Sequence, residues 1–188
     1  MKTLNFTVLV TVVTLLMSCG GSISKQTANK EGFGAIEKEM KSKFGEDAYY
    51  TDLTISYNSS IGNIINVTVT EKPESLKMGE WIFSNGSWVE TSEVSLELPE
   101  GTKATDFMFQ LNEDINLSKL GELVVKSCNE LITEKKLENP ALHMAFVKFP
   151  DNGNIASAEY LVMLKPETGG TTFTFNYKLN GELINMDY

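Results

Sequence analysis

Few residues of this sequence could take part in catalysis. The chain has one histidine, His143, and two cysteines, Cys19 and Cys128. A histidine acts as a general base, and a thiolate as a nucleophile, when a partner side chain lies within hydrogen-bond reach. His143 lies in the apolar run "ALHMAFVKF", which is typical of a strand, and no nucleophile is close to it in sequence. We therefore expect a core or edge histidine and predict no catalytic residue.

Cys128 belongs to an apolar stripe that repeats every three or four residues, the spacing of one face of a helix. The stripe consists of Leu117, Leu120, Val124, Cys128 and Leu131. A buried thiol packs as a small hydrophobic group. We expect Cys128 to pack in the core, and a reactive or pairing thiol is the alternative.

Acidic side chains are the candidate metal ligands of this sequence. The sequence "DNGN" at 151–154 offers oxygen ligands and a glycine, but the later glutamate of an EF-hand loop is missing. The adjacent pairs Glu46–Asp47 and Glu113–Asp114 are expected to be solvated carboxylates at the ends of elements. The sequence therefore predicts no metal site and no cofactor.

The charge balance argues against one large class of partner. The formal net charge is −9 at pH 7, and every basic residue is a lysine. A negative field repels nucleic acid. Without arginine the chain also lacks the planar fork that binds phosphate at two points. We expect no nucleic-acid partner.

The N-terminus has the pattern of an export signal. A charged start precedes the apolar run from Leu4 to Met17, as in a secretory signal peptide. The run ends in "LMSC", Leu16 to Cys19, which resembles the lipobox of bacterial lipoproteins. This resemblance implies that residues 1–18 are a lipoprotein signal peptide and that Cys19 is acylated. The chain would then reach the membrane through a lipid anchor.

The residues after Cys19 are small and polar, with the sequence "GGSISKQTANK" from Gly20 to Lys30. Such a composition predicts a flexible tether over residues 19–30. Glycine rather than aspartate follows the cysteine. By resemblance to enterobacterial sorting, this favours the outer membrane of the cell envelope.

Two amphipathic helices are expected, and each must cover an apolar surface. The first has an apolar stripe formed by Phe33, Ile36, Met40 and Phe44. Gly45 is a suitable residue for its C-terminal end. The second helix contains Cys128, begins at Asn116 or Ser118 and extends to about Lys136.

Alternating strands follow each helix. In the first half Leu53, Ile55 and Tyr57 are expected to point inward. Asn85-Gly86 and Asn180-Gly181 each stand between two such strands, and Asn-Gly is the strongest short hairpin signal because both residues tolerate a positive φ.

Landmarks of the two halves recur at a nearly constant offset. The segment "EKPES" begins at Glu71 and "LKPET" at Leu164, and three pairs of landmarks are separated by 91, 93 and 95 positions: Gly62 and Gly153, Pro73 and Pro166, Gly86 and Gly181. We therefore predict an α+β fold of two tandem helix-plus-four-strand antiparallel units, with the helices packed on one face. The repeats span residues 31–101 and 117–188. The connecting segment, 102–116, contains one more short strand around Phe109.

This order, one helix followed by an antiparallel meander and then the same again, resembles the β-lactamase inhibitory protein and PepSY-like secreted modules of bacteria. The resemblance covers residues 31–188 and implies an antiparallel sheet with helices on one face and an open face that binds another protein. A cystatin-like module of one helix on a sheet fits the same pattern.

Two predicted strands, Met144 to Phe149 and Glu159 to Leu164, are apolar on both sides. One interpretation is a central position in the sheet, covered by the connecting segment or by the other half. The other is an exposed patch for a partner, formed by Leu161 and Met163 with Trp81 and Trp88, since aromatic residues and methionine are enriched at interface cores.

These observations favour a lipid-anchored, non-catalytic binding module of the cell envelope that binds an envelope protein or another envelope ligand. The alternative is an enzyme or a small-ligand carrier whose site forms between the two halves.

Overall fold

Two helices and nine strands make up the described part of the chain, which in this computed structural model comprises residues 23–150 and 153–188. The helices are α1 (Lys30–Phe44) and α2 (Leu117–Glu134). The strands are β1 (Tyr49–Asn58), β2 (Gly62–Thr70), β3 (Lys77–Ser84), β4 (Ser87–Ser95), β5 (Phe109–Gln110), β6 (Pro140–Lys148), β7 (Glu159–Pro166), β8 (Phe173–Lys178) and β9 (Leu183–Asp187). The fold class is α+β, as predicted.

The described strands form one antiparallel sheet, in the order β4-β3-β2-β1-β6-β7-β8-β9. The pairing of β1 with β6, which places Thr54 opposite Phe146 and Ser56 opposite Met144, joins the first four strands to the last four. β5 pairs with the start of β1. The sheet is therefore continuous through its centre.

Helix α1 begins and ends where its sequence indicates. The side chain of Asn29 accepts a hydrogen bond of 2.8 Å from the backbone N–H of Gly32, which satisfies one of the free donors of the first turn. At the other end, Gly45 has a φ of 99° and donates its N–H to Lys41. The predicted stripe, including Phe33 and Met40, is buried.

Helix α2 is capped in the same way. Asn116 accepts a hydrogen bond of 2.8 Å from the backbone N–H of Lys119. The hydroxyl of Tyr160 on β7 also accepts a hydrogen bond of 2.8 Å from the N–H of Asn116, so the start of α2 is fixed to the sheet. The helix ends at Glu134, two residues before the predicted end.

The two helices contact each other on one side of the sheet. A side chain on Gly121 would place its Cβ 2.2 Å from the carbonyl oxygen of Asn29, so only glycine permits this approach. Glu37 of α1 accepts a hydrogen bond of 2.7 Å from the N–H of Leu117, which puts a carboxylate at the N-terminus of α2. This is the favourable end of a helix for a negative charge.

The side of the sheet that faces the helices, which we call the inner face, carries the main core. Its strand residues alternate with those of the opposite side, the outer face. The buried inner-face residues include Leu53, Ile55, Ile65, Val67, Ala145, Val162 and Phe175.

A second, smaller core lies on the outer face near β3 and β4. Met78 is 1% exposed and packs with Ala104 and Met108 of the segment that follows β4. Partly buried residues from β1 and β4, including Tyr49 and Val94, pack against them. The chain thus folds back over one part of its own outer face.

Two predictions about local structure are met only in part. Tyr57 lies on the inner face with Leu53 and Ile55, as predicted, but it is 47% exposed because it lies one residue before the end of β1. The flexible tether was expected to extend to residue 30, but Ile23 and Ser24 are buried. The buried amide of Asn63 donates hydrogen bonds to the carbonyls of Ile23 and Gln26, which holds this segment on the start of β2.

Candidate protein-binding face

Four apolar side chains meet at the middle of the outer face. Met144 and Phe146 come from β6, and Leu161 and Met163 come from β7. The strand register places Phe146 opposite Leu161 and Met144 opposite Met163. All four are half-buried. We call this group the apolar patch.

The central position of β6 and β7 explains why both of their sides are apolar. The residues between those of the patch, Ala145 on β6 and Val162 on β7, lie on the inner face and have no exposed surface. They belong to the core beneath the helices. The two strands are therefore central, as one of the two interpretations has it, but the connecting segment covers Met78 and leaves the outer side of β6 and β7 half-exposed.

Neutral polar side chains border the apolar patch along both neighbouring strands. On β1, Thr54 pairs with Phe146 and Ser56 with Met144. On β8, Asn176 pairs with Leu161 and Thr174 with Met163. An apolar centre with a polar rim is the usual anatomy of a protein–protein interface.

Trp81 and Trp88 lie elsewhere. Trp81 pairs with Val67 and Trp88 with Phe83, so both rings lie on the inner face. Both meet Phe44 edge to face, with ring centroids 5.6 and 4.9 Å apart. The expectation that they accompany Leu161 and Met163 on one surface is not met, because they cover the edge of the main core.

Two β-bulges explain why simple alternation does not predict which residues of β4 and β6 lie on the inner face and which on the outer face. Thr91 is an extra residue between Glu90 and Ser92 of β4, and it puts Trp88 and Val94 on opposite faces although they are an even number apart. His143 is the extra residue of a bulge in β6. Met144 therefore lies on the outer face although Leu142 lies on the inner one.

The side chains that were considered for chemistry are dispersed. His143 is half-buried in the bulge of β6. Cys128 packs partly against the main core, and its burial raises the pKa of the thiol to about 11. The thiol lies 3.7 Å from the carbonyl oxygen of Pro140.

The acidic pairs lie at the surface. Glu113 and Asp114 border an open cleft of about 420 Å³, whose other lining residues are Ile155, Ala156, Leu179 and Asn180. Among the described residues, no group of three or more histidine, cysteine, aspartate or glutamate side chains is placed to hold a metal ion. Asp151 and Asn152 of the "DNGN" sequence are outside the described residues.

The predicted signal peptide and Cys19 also lie outside the described residues. Within 23–150 and 153–188, neither helix has the length and apolar composition that a membrane span requires.

Comparison with known proteins gives no relative. No protein-family model, no curated protein and no solved structure matches the chain.

Proposed function

We propose that this chain is a lipid-anchored, non-catalytic binding module of the bacterial cell envelope, and that the apolar patch binds an envelope protein. The observation that carries the proposal is the position of Met144, Phe146, Leu161 and Met163. They form one apolar group, half-exposed on the outer face, in the middle of a sheet whose inner face already supplies the core.

The chemistry of the patch indicates the kind of protein that fits. Methionine is flexible and polarizable, so it adapts to partners of different shape. The rim offers hydroxyl and amide groups at Thr54, Ser56, Thr174 and Asn176. On the same face, the row of residues next to Phe146 and Leu161 is charged, with Lys148 opposite Glu159 and Glu159 opposite Lys178. The expected partner presents a small apolar surface with hydrogen-bonding groups around it.

The sequence "LMSC" supports the lipid anchor at Cys19 and, with it, a place in the envelope, where the glycine after the cysteine favours the outer membrane. Acyl chains of this kind hold a folded domain at a bilayer at about 0.8 kcal/mol for each buried CH₂ group. A fatty-acid probe fed to the cells should label the chain and should fail to label a Cys19→Ala variant.

We also infer that the fold derives from two copies of a helix-plus-four-strand unit. The order of elements supports this, because α1 precedes β1 to β4 as α2 precedes β6 to β9. The sheet order supports it too, since each set of four strands runs outward from the central β1–β6 pair. The resemblance to PepSY-like modules and the β-lactamase inhibitory protein would then extend to the use of the open face for binding.

The test of the binding face is the double variant Leu161→Lys/Met163→Lys. Half-exposed side chains that change to lysine should cost about 1 kcal/mol each, because a fully buried apolar side chain contributes about 1.5–3 kcal/mol. The variant should therefore fold. Capture of the partner by a photo-crosslinker at Thr54, on the rim, should be lost, because a few central residues dominate interface energies.

The matched control is Val89→Lys/Ile184→Lys, which places two lysines at exposed apolar positions on the edge strands β4 and β9. This control should fold and should keep the crosslink. The captured protein is then purified and titrated directly. Equal binding by the double variant and the control would contradict the proposed face, and so would a double variant that cannot fold.

A further inference from the structure

The chain enters the domain at one fixed point beside the turn between β1 and β2. Ile23 is 8% exposed, and its carbonyl oxygen accepts a hydrogen bond of 2.9 Å from Asn63, the second residue of β2. Gly62, the first residue of β2, is so close to Ser24 that a Cβ would lie 1.9 Å from the Ser24 carbonyl oxygen. The segment from Ile23 onward is therefore held on the turn by buried contacts.

Only a short stretch separates this fixed point from the proposed lipid anchor. Four residue steps lead from Cys19 to Ile23. Because an extended chain spans at most about 3.6 Å per residue, they reach no further than about 14 Å. A ten-residue strand such as β1 is about 33 Å long. The anchor therefore cannot reach around the domain, and the end of the sheet at Asn63 must lie nearest the bilayer.

The composition of that end suits a lipid surface. At this end Tyr57, near the end of β1, is 47% exposed and Ile61, in the β1–β2 turn, is 36% exposed, and residues 57–62 contain no charge. Tyrosine prefers the boundary between water and hydrocarbon, since it has an apolar ring and a polar tip. The neighbouring turn between β3 and β4, Asn85-Gly86, is also uncharged.

The opposite end of the same strands is acidic. Glu46 and Asp47 precede β1, and Glu71, Lys72 and Glu74 follow β2, so four carboxylates face one ammonium group there. Carboxylates are repelled by the anionic headgroups of bacterial membranes. The distribution of charge along β1 and β2 thus favours the same orientation as the short connection does.

We propose that the β1–β2 turn, with Tyr57 and Ile61, rests on the lipid headgroups, while the acidic end of the sheet points away from the membrane. The proposal rests on the lipid anchor at Cys19. It makes the domain an oriented module rather than one that turns freely on a long tether. The apolar patch, on the outer face of the sheet, would then be held at a defined height above the bilayer.

The test uses the full acylated chain, bound to vesicles of phosphatidylethanolamine and phosphatidylglycerol, in a Cys128→Ser background. A fluorophore is attached at Ser60→Cys, in the turn, or at Glu74→Cys, at the far end. Both positions are exposed. Nitroxide-labelled lipid should quench most of the fluorescence at position 60 and leave position 74 nearly unchanged.

Vesicle flotation of the same samples separates the two proposals. If the protein floats with the vesicles but the two positions are quenched equally, or neither is, the orientation is refuted and the lipid anchor stands. If the protein does not float, the anchor itself fails and the orientation fails with it. Inserting ten glycine and serine residues before Ile23 should keep flotation and reduce the quenching at position 60. Unchanged quenching would show that the short connection does not hold the turn at the surface.

Discussion

Two groups of apolar residues lie on the outer face of the same sheet, and the chain treats them differently. Met78 on β3 is covered by Ala104 and Met108, which belong to the segment after β4. The apolar patch on β6 and β7 remains half-exposed. In the described part of the chain, a connecting segment therefore covers the outer-face methionine Met78 and leaves the outer-face methionine Met163 half-exposed.

This difference assigns different roles to the two groups. Covering Met78 orders a connecting segment, which costs conformational entropy of about 1–2 kcal/mol for each residue whose backbone is fixed. Burial of Met78, Ala104 and Met108 offsets part of that cost. Each patch residue is only half-buried and should contribute less than the fully buried Met78. Contact with another molecule is the reason that we propose for their apolar character.

The largest loss of stability is expected for a lysine substitution on the inner face, directly behind the apolar patch. Val162 lies between Leu161 and Met163 in sequence, has no exposed surface and pairs with Ala145 and Phe175. In Val162→Lys the amine would be buried without a partner. Its pKa would fall by up to 3–5 units, at about 1.4 kcal/mol for each unit, so we expect a loss of about 4 kcal/mol or more.

Urea unfolding of Val162→Lys and of Leu161→Lys/Met163→Lys at equal protein concentration measures the contrast between the two faces of β7. The Val162→Lys protein should be mostly unfolded or should fail to accumulate. A urea midpoint of Val162→Lys close to that of the unchanged protein would mean that position 162 is not buried in the core.

The local part of this fold was predictable from the sequence, and the patch was only partly so. The stripe that contains Phe33 and Met40 gave α1, and the Asn-Gly pairs gave two hairpins, because each signal lies within a few residues. The pairing of β1 with β6 joins residues about 90 positions apart, and no local pattern encodes it. The sequence points to Leu161 and Met163 because their strand is apolar on both sides, but Met144 and Phe146 join them only through the β6–β7 register.

The errors arise where the structure depends on more than alternation along an uninterrupted strand. The bulges at Thr91 and His143 each reverse the face on which the following residues lie. The position of Trp88 on the inner face depends on contacts with Phe44 and Phe83, which come from other elements. The packed segment at Ile23 has a composition typical of a linker, and Asn63, which holds it, is distant in sequence.

An intermediate loss of stability is expected when Met78, the covered methionine of the outer face, is truncated. Met78→Ala removes a side chain that is 1% exposed and leaves a cavity under the segment that contains Ala104 and Met108. Substitutions of this kind cost about 2–5 kcal/mol. We expect the lower part of that range, because the segment is a loop that can partly collapse into the space. Thermal unfolding checks the value, and protease cleavage within residues 98–106 should become faster. A change below about 0.5 kcal/mol would contradict the role of Met78 as the centre of this smaller core.

The smallest effect on stability is expected for the same substitution in the patch. Met163→Ala removes a half-exposed side chain opposite Met144 and Thr174, where water already reaches the surface. The loss of stability should be below about 1 kcal/mol, since less than half of the free energy of a full methionine burial is lost.

The effect of Met163→Ala on binding should be larger than its effect on stability, because truncation of a central interface residue often costs about 2 kcal/mol or more. The paired measurement, the unfolding free energy and the partner Kd of Met78→Ala and Met163→Ala, therefore contrasts the two methionines. Met78→Ala should mainly lose stability, and Met163→Ala should mainly lose affinity by about thirty-fold, the equivalent of 2 kcal/mol. If Met163→Ala loses as much stability as Met78→Ala and keeps its affinity, the patch is ordinary core and the difference between the two groups disappears.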